Sequence, residues 1–250
     1  SRWGVAFLAT LTYGAVAVPI LHEFHPEQVH HIVNHSESKM LFVGDLVGKK
    51  LNSEEMPNLK GVIQMNDWAL LEAKDKELKD TVENLNRCFG EKYPSNFTLA
   101  HIAYHSDEEE DLAIINYTSG TTSAPKGVML RYECISENVA FGQKRLPSYP
   151  EDKIVSMLPM AHMYGMMFEL IYPLCGGSSI YYLGKTPTPA LLLGAMADVK
   201  PYLVITVPLV MEKIFKSKVA PVVNKPLMKV LCAIPGLNQV IFKKIRTQLL

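Results

Sequence analysis

The run Thr118-Ser119-Gly120-Thr121-Thr122-Ser123-Ala124-Pro125-Lys126-Gly127 gathers five hydroxyl side chains, two glycines and one lysine directly behind an apolar stretch at residues 112–117. A loop of that composition at the end of a strand offers backbone N–H and side-chain O–H donors to a polyphosphate, and the lysine adds positive charge. Phosphate binding is the chemistry expected of it. The competing arrangement is the Walker loop, G-x-x-x-x-G-K-[ST]. Gly120 and Lys126 have its outer spacing, but Pro125 stands where its second glycine belongs and Gly127 where its magnesium-binding hydroxyl belongs. A Walker-type NTPase is therefore disfavoured, and an ordinary Ser/Thr/Gly turn is the plainer alternative.

Other residue types that could do chemistry are less telling. His22, His25, His30, His31 and His35 crowd a short stretch, yet the zinc motif H-E-x-x-H would need Glu where Ile32 stands. A helix surface is the simpler reading. Cys88, Cys134, Cys175 and Cys232 are dispersed with no C-x-x-C pair, which points to reduced thiols rather than a zinc ribbon or disulfide framework. Met157, Met160, Met163, Met166 and Met167 are flexible apolar side chains that fit an alkyl tunnel and core packing about equally well.

These residues need elements to hold them. Apolar runs of strand length recur at 16–20, 40–43, 61–65, 112–117, 154–158, 179–183 and 202–207, continuous rather than alternating, as in strands covered on both faces. Helical patterns lie between them. Residues 3–11 form one, and Pro26 opens another whose Val29, Ile32 and Val33 share a face. Met163, Met166, Met167, Leu170, Ile171 and Leu174 keep helical spacing, and Thr188-Pro189 supplies a cap and a first-turn proline. A helix-like stretch after the loop puts Tyr132, Ile135 and Val139 on one side. The expected fold is α/β, with layered, mostly parallel sheets flanked by helices.

The 250 residues are 48% apolar and 20% charged, enough for a sizeable core. Lys plus Arg equals Asp plus Glu at 25 each, so no overall basic field is available to hold nucleic acid. Residues 4–21 carry no charge, but Thr10, Thr12, Gly14 and Pro19 break them, so a buried helix, a turn at Tyr13-Gly14 and a strand are expected in place of a membrane span. Residues 51–91 and the acidic run 107–111 read as solvated surface. The end of the chain reverses sign. Lys213, Lys216, Lys218, Lys225, Lys229, Lys243, Lys244 and Arg246 follow Glu212 with no further acid, which suits an exposed helix face or a contact with an anionic membrane.

Residues 117–128 resemble the phosphate-loop signature of the adenylate-forming (AMP-binding) superfamily, which includes acyl-CoA synthetases, adenylation domains and luciferases. Three further stretches agree in order. Trp3 to Ile20 resembles the family's early helix and Gly-Ala-Val-x-Val-Pro strand, Leu158-Pro159-Met160-Ala161-His162 its Leu-Pro-x-x-His segment, and residues 200–208 its later strand-to-helix turn. Within the family the chain most resembles bacterial long-chain fatty-acid–CoA ligases. The resemblance implies activation of a carboxylic acid by ATP through an acyl-adenylate, then transfer to coenzyme A. It implies that Thr118, Ser119, Gly120, Thr121, Thr122, Ser123, Pro125, Lys126 and Gly127 surround the phosphates, with Thr118 also contacting Mg²⁺. His162 would stand beside the adenylate at the mouth of the acyl pocket as a positioning group and not a general base. Two departures are Ser123 in place of a usual glycine and Arg131-Tyr132 in place of Thr-His.

The family's adenine-binding glycines, its Tyr-Gly-x-Thr-Glu segment, its ribose-binding aspartate and its mobile C-terminal domain have no counterpart in this sequence. Residues 1–250 are thus expected to be part of a large N-terminal AMP-binding domain without a complete active site. The dispersed, reduced thiols suit a cytoplasmic protein, with a peripheral contact to the inner membrane left open at its basic end. Two alternatives stand beside the ligase reading: a non-catalytic acyl- or nucleotide-binding module, and an adenylation enzyme loading a carrier-protein thiol.

Overall fold

A computed structural model of the chain describes residues 1–118, 124–234 and 236–249, with side chains for all of these except 229 and 244–249. The backbone divides into two compact units, Ser1–Glu137 and Asn138–Leu250.

In the first unit, helix α1 (Arg2–Thr12) stacks Trp3 on Phe7 at 5.1 Å and buries Gly4, Ala6 and Phe7. The chain then turns through Gly14 at φ +80, where a Cβ would meet the His105 ring at 2.4 Å, so only glycine fits. The expected strand at 16–20 reduces to a single parallel bridge between Ala17 and Ile114. Pro19 has no N–H to extend a ladder. Helix α2 (Pro26–His35) buries Val29, Ile32 and Val33, the face that their spacing predicts. After it come β1 (Met40–Val43), the short α3 (Asp45–Gly48), β2 (Gly61–Gln64) and β3 (Leu70–Ala73). β1 runs parallel to β2, and β3 is antiparallel to it. Val29, Val33, Leu41, Val43, Met56, Leu59 and Val62 form the core beneath.

Residues 51–91 are therefore not wholly solvated surface. Met56, Leu59 and Val62 are buried, and β3 is an edge strand that its mixed composition conceals. Helices α4 (Lys76–Glu83) and α5 (Leu85–Lys92) bury no residue, in keeping with their charge. Next, β4 (Leu112–Thr118) pairs antiparallel with β5 (Lys126–Arg131), and α6 (Tyr132–Arg145) follows. The residues after the loop are thus a strand first and a helix only from Tyr132.

The second unit sets β6 (Lys153–Ser156) parallel to β7 (Ser179–Tyr182), with Leu203 bridging parallel to Ile154 in place of the longer strand expected at 202–207. Between them α7 (Met163–Met166), a π-helical turn at Met167–Ile171 and α8 (Tyr172–Cys175) run on without a break. Thr188 caps α9 (Pro189–Val199), its hydroxyl accepting the Leu191 N–H at 3.3 Å, and Lys200 ends it in the left-handed conformation. Helices α10 (Pro208–Ile214), α11 (Ala220–Val223), α12 (Pro226–Ala233) and α13 (Leu237–Leu249) complete the unit. Its core gathers Met157, Leu192, Met196 and Ile214. Burying one such side chain contributes about 1.5–3 kcal/mol. The fold is α/β as expected, with mixed strand pairing: β1–β2 and β6–β7 are parallel, β2–β3 and β4–β5 antiparallel. No helix among the described residues is long and apolar enough to cross a membrane.

Candidate functional site

Thr118 closes β4 and Lys126 opens β5, and the two are cross-strand partners. The hydroxyl expected near Mg²⁺ and the ammonium expected near phosphate thus belong to opposed positions at the mouth of one hairpin, both exposed. Opposed residues in an antiparallel pair have Cα atoms about 4.5–5.5 Å apart, close enough for both side chains to reach one phosphate group. The rest of the predicted loop, Ser119, Gly120, Thr121, Thr122 and Ser123, lies outside the described residues. Pro125 is buried just before β5.

The hairpin's base is locked from below. Gly127 faces Tyr117, and a Cβ on it would meet Ile115 Cγ2 at 2.9 Å and the Tyr117 ring at 3.1 Å. Glycine here leaves the aromatic ring room to lie under the strand. Tyr117 is buried, which pushes its phenol above the ordinary value, and a 2.6 Å hydrogen bond joins its hydroxyl to His35 Nδ1 on α2. His35 in turn stacks with His31 at 5.5 Å. One of the crowded histidines therefore anchors the residue just ahead of the loop. Sequence spacing could not reveal this, because the partners are 82 positions apart.

The Arg131-Tyr132 departure also has a visible use. The Tyr132 hydroxyl donates to the Leu11 carbonyl at 3.2 Å, tying the start of α6 to the end of α1. Desolvation, with Asp107 and Asp111 nearby, pushes this phenol up as well. The acidic run is more than solvated surface, because the Asp111 and Glu109 carbonyls accept the N–H groups of Tyr132 and Glu133 at 3.1 and 2.9 Å.

In the second unit, His162 is the N-cap of α7. Its Nδ1 accepts the Tyr164 N–H at 3.3 Å, its own N–H donates to the Pro159 carbonyl at 2.9 Å, and its ring is exposed. Gly165, one turn on, sits so close to the preceding segment that a Cβ would lie 2.6 Å from the Pro159 oxygen. Met157, Met166 and Met167 are buried, whereas Met160 and Met163, flanking His162, are half-buried.

Sequence reasoning missed Glu169. It lies in the π-helical turn with no exposed surface. Its Oε2 accepts three hydrogen bonds, from Ser156 Oγ at 3.0 Å, Met157 N at 2.9 Å and Leu158 N at 2.8 Å. Oε1 has no hydrogen-bond partner among the described residues. Burial pushes the carboxyl up to about 6, against the three donors, which pull it down. The available signal was a single acid on the apolar face that Met166, Leu170 and Pro173 otherwise define.

The sequence matches the AMP-binding enzyme family over residues 1–246. It is 30% identical over 248 residues to long-chain-fatty-acid–CoA ligase 5 of Rattus norvegicus, an alignment that covers 92% of this chain and 34% of that protein. It is 28% identical over 230 residues to long-chain-fatty-acid–CoA ligase 1 of Homo sapiens, covering 86% and 31%. The chain thus spans about a third of the length of these curated relatives. Among solved structures, ATP-bound MatB from Rhodopseudomonas palustris superposes with a TM-score of 0.67 at 20% identity, over 86% of this chain and 39% of that one. The inhibitor-bound N-terminal domain of FACL13 from Mycobacterium tuberculosis gives 0.65 at 19% identity, over 89% and 49%. At such identity these two show a shared fold.

Proposed function

The chain belongs to the AMP-binding enzyme family, and from that premise we propose that it carries the phosphate loop and part of the acyl site of an ATP-dependent fatty-acid–CoA ligase. The observation that carries the reading is the opposition of Thr118 and Lys126 at the hairpin mouth. Lys126 is exposed and makes no ion pair among the described residues, so its charge is available to a phosphate. The names of the curated relatives, long-chain-fatty-acid–CoA ligases, favour a fatty acid as substrate and coenzyme A as acceptor.

In the first step a carboxylate oxygen attacks the α-phosphorus of ATP. A bond forms between them, the bond from phosphorus to the bridging oxygen breaks, and pyrophosphate leaves. In the second, a thiol sulfur attacks the acyl carbon, its proton is lost, and AMP departs. Such chemistry depends on in-line positioning and on neutralising phosphate charge. Lys126 and the loop hydroxyls serve the second need, and Pro125 and Gly127 shape the backbone that presents them. No cluster of His, Cys, Asp or Glu among the described residues could hold a metal alone. A single neutral ligand such as the Thr118 hydroxyl fits Mg²⁺, which keeps several waters and phosphate oxygens around it. When bound, the ion would neutralise phosphate charge. His162, exposed and fixed as a helix cap, orients the acid, with Met160 and Met163 beside it for the start of the alkyl chain.

The test is pyrophosphate release by the natural-length protein given ATP, Mg²⁺ and fatty acids of graded length. Acid-dependent release is expected, and its absence across all lengths rejects the reading. Lys126→Ala and Thr121→Ala should each lower the rate by about 10²-fold, the usual weight of a charge-stabilising group, with little change in melting temperature. Competition between coenzyme A and a carrier-protein thiol identifies the acceptor.

A further inference from the structure

Where strand β6 ends at Ser156, the N–H groups of Met157 and Leu158 have left the parallel pairing with β7. Both converge on one oxygen of Glu169, which also accepts the Ser156 hydroxyl. Four residues later the same segment reaches His162, whose N–H bonds back to Pro159 and whose ring caps α7. The helix returning over this segment touches it twice. Gly165 lies against the Pro159 carbonyl and the Leu158 side chain, and Glu169 reaches the strand end one turn later. The π-helical turn at Met167–Ile171 widens the helix at the point where Glu169 departs toward the strand.

A buried acid with an unpartnered oxygen is costly, and a helix that only had to pack would place an apolar residue there. We propose that Glu169 is a positioning residue of the adenylation reaction, holding the 156–162 segment so that His162 is presented at a fixed place to the acid. The proposal rests on the reading of His162 given above. Glu169 acts through Ser156, Met157 and Leu158 and does not itself touch substrate.

Two variants separate this role from simple packing. Glu169→Gln keeps an acceptor oxygen on the same side-chain length, and Glu169→Ala removes all three hydrogen bonds. In the natural-length protein, Glu169→Ala is expected to lower kcat for acid-dependent pyrophosphate release about tenfold or more while KM for ATP holds, since the hydrogen bonds it loses are to Ser156, Met157 and Leu158 and not to Thr118 or Lys126, and Glu169→Gln should restore most of it. A folded Glu169→Ala protein with unchanged kcat, or a Glu169→Gln protein as impaired as Glu169→Ala, overturns the proposal. A second readout needs no turnover. Amide exchange at Met157 and Leu158 should be slow in the wild type and in Glu169→Gln, and the His162 ring resonances should shift only in Glu169→Ala. If Glu169→Ala does not fold, the shortened Glu169→Asp takes its place: accelerated exchange at those two amides with a shifted His162 ring supports the proposal, and unaltered exchange counts against it. A wild-type protein that releases no pyrophosphate with any acid defeats the assigned reaction. The exchange and ring measurements then decide whether Glu169 holds His162: an unmoved ring in a folded Glu169→Ala protein overturns that too.

Discussion

Glu169 is the residue whose environment departs furthest from its chemistry, and its titration gives a signed prediction. Its folded pKa, about 6, lies above the ordinary carboxyl value of 4.5. Between those values the native state binds more protons than the unfolded chain, so stability falls as pH rises through this window. The shift corresponds to about 2 kcal/mol, present as extra stability below pH about 4.5 and lost above about 6. Urea midpoints taken from pH 4 to 7 on wild type and Glu169→Gln should converge at the acid end and part toward neutrality, the variant being flatter. Identical profiles would show that the carboxyl titrates normally. At the hairpin, Gly127→Ala drives a methyl into Ile115 and the Tyr117 ring. The expected cost is about 1–3 kcal/mol, with loss of pyrophosphate release beyond what the stability change explains, because Lys126 is its neighbour in β5.

At the scale of elements, glycines of opposite meaning sit on two helices of the second unit. Gly165 in α7 faces backbone at 2.6 Å, so Gly165→Ala must push the helix off residues 158–159. About 1–3 kcal/mol of destabilisation is expected by chemical denaturation. Gly194 in α9 has nothing within 4 Å of the site of a Cβ. Its replacement by alanine only reduces unfolded-chain freedom, and should stabilise by about 0.5–1 kcal/mol. A stabilised Gly165→Ala would mean that the close approach of α7 to its preceding segment is mistaken. Element legibility followed the same logic. Helix α2 was readable because Val29, Ile32 and Val33 share a face, and α9 because Thr188-Pro189 marks its start. Strand β5 was not, because Lys126-Gly127-Val128-Met129-Leu130-Arg131 is mostly exposed and gains its identity only by pairing with β4.

For the whole molecule, the four dispersed cysteines are all reduced thiols in the structure. In denatured protein prepared without reductant, each of these four should therefore be labelled by a thiol reagent when read peptide by peptide, and an unlabelled one would require a disulfide that the fold does not hold. The neutral formal charge conceals a local imbalance. Lys216 meets Glu212 at 2.6 Å, while Lys213, Lys218 and Lys225 follow with no acid after Glu212. Exposed pairs of this kind are worth little, so this one adds little to the stability of the basic end.

The sequence alone determined the α/β class and the family, because these rest on local order: apolar runs alternating with helical patterns, and motifs in fixed succession along one chain. Only the tertiary structure decided how Thr118 faces Lys126, how His35 holds Tyr117, and why an acid stands in the apolar helix after His162. Those contacts join residues from 8 to 82 positions apart. Pairing register, burial and desolvation create them, and none of these exists until the chain has folded.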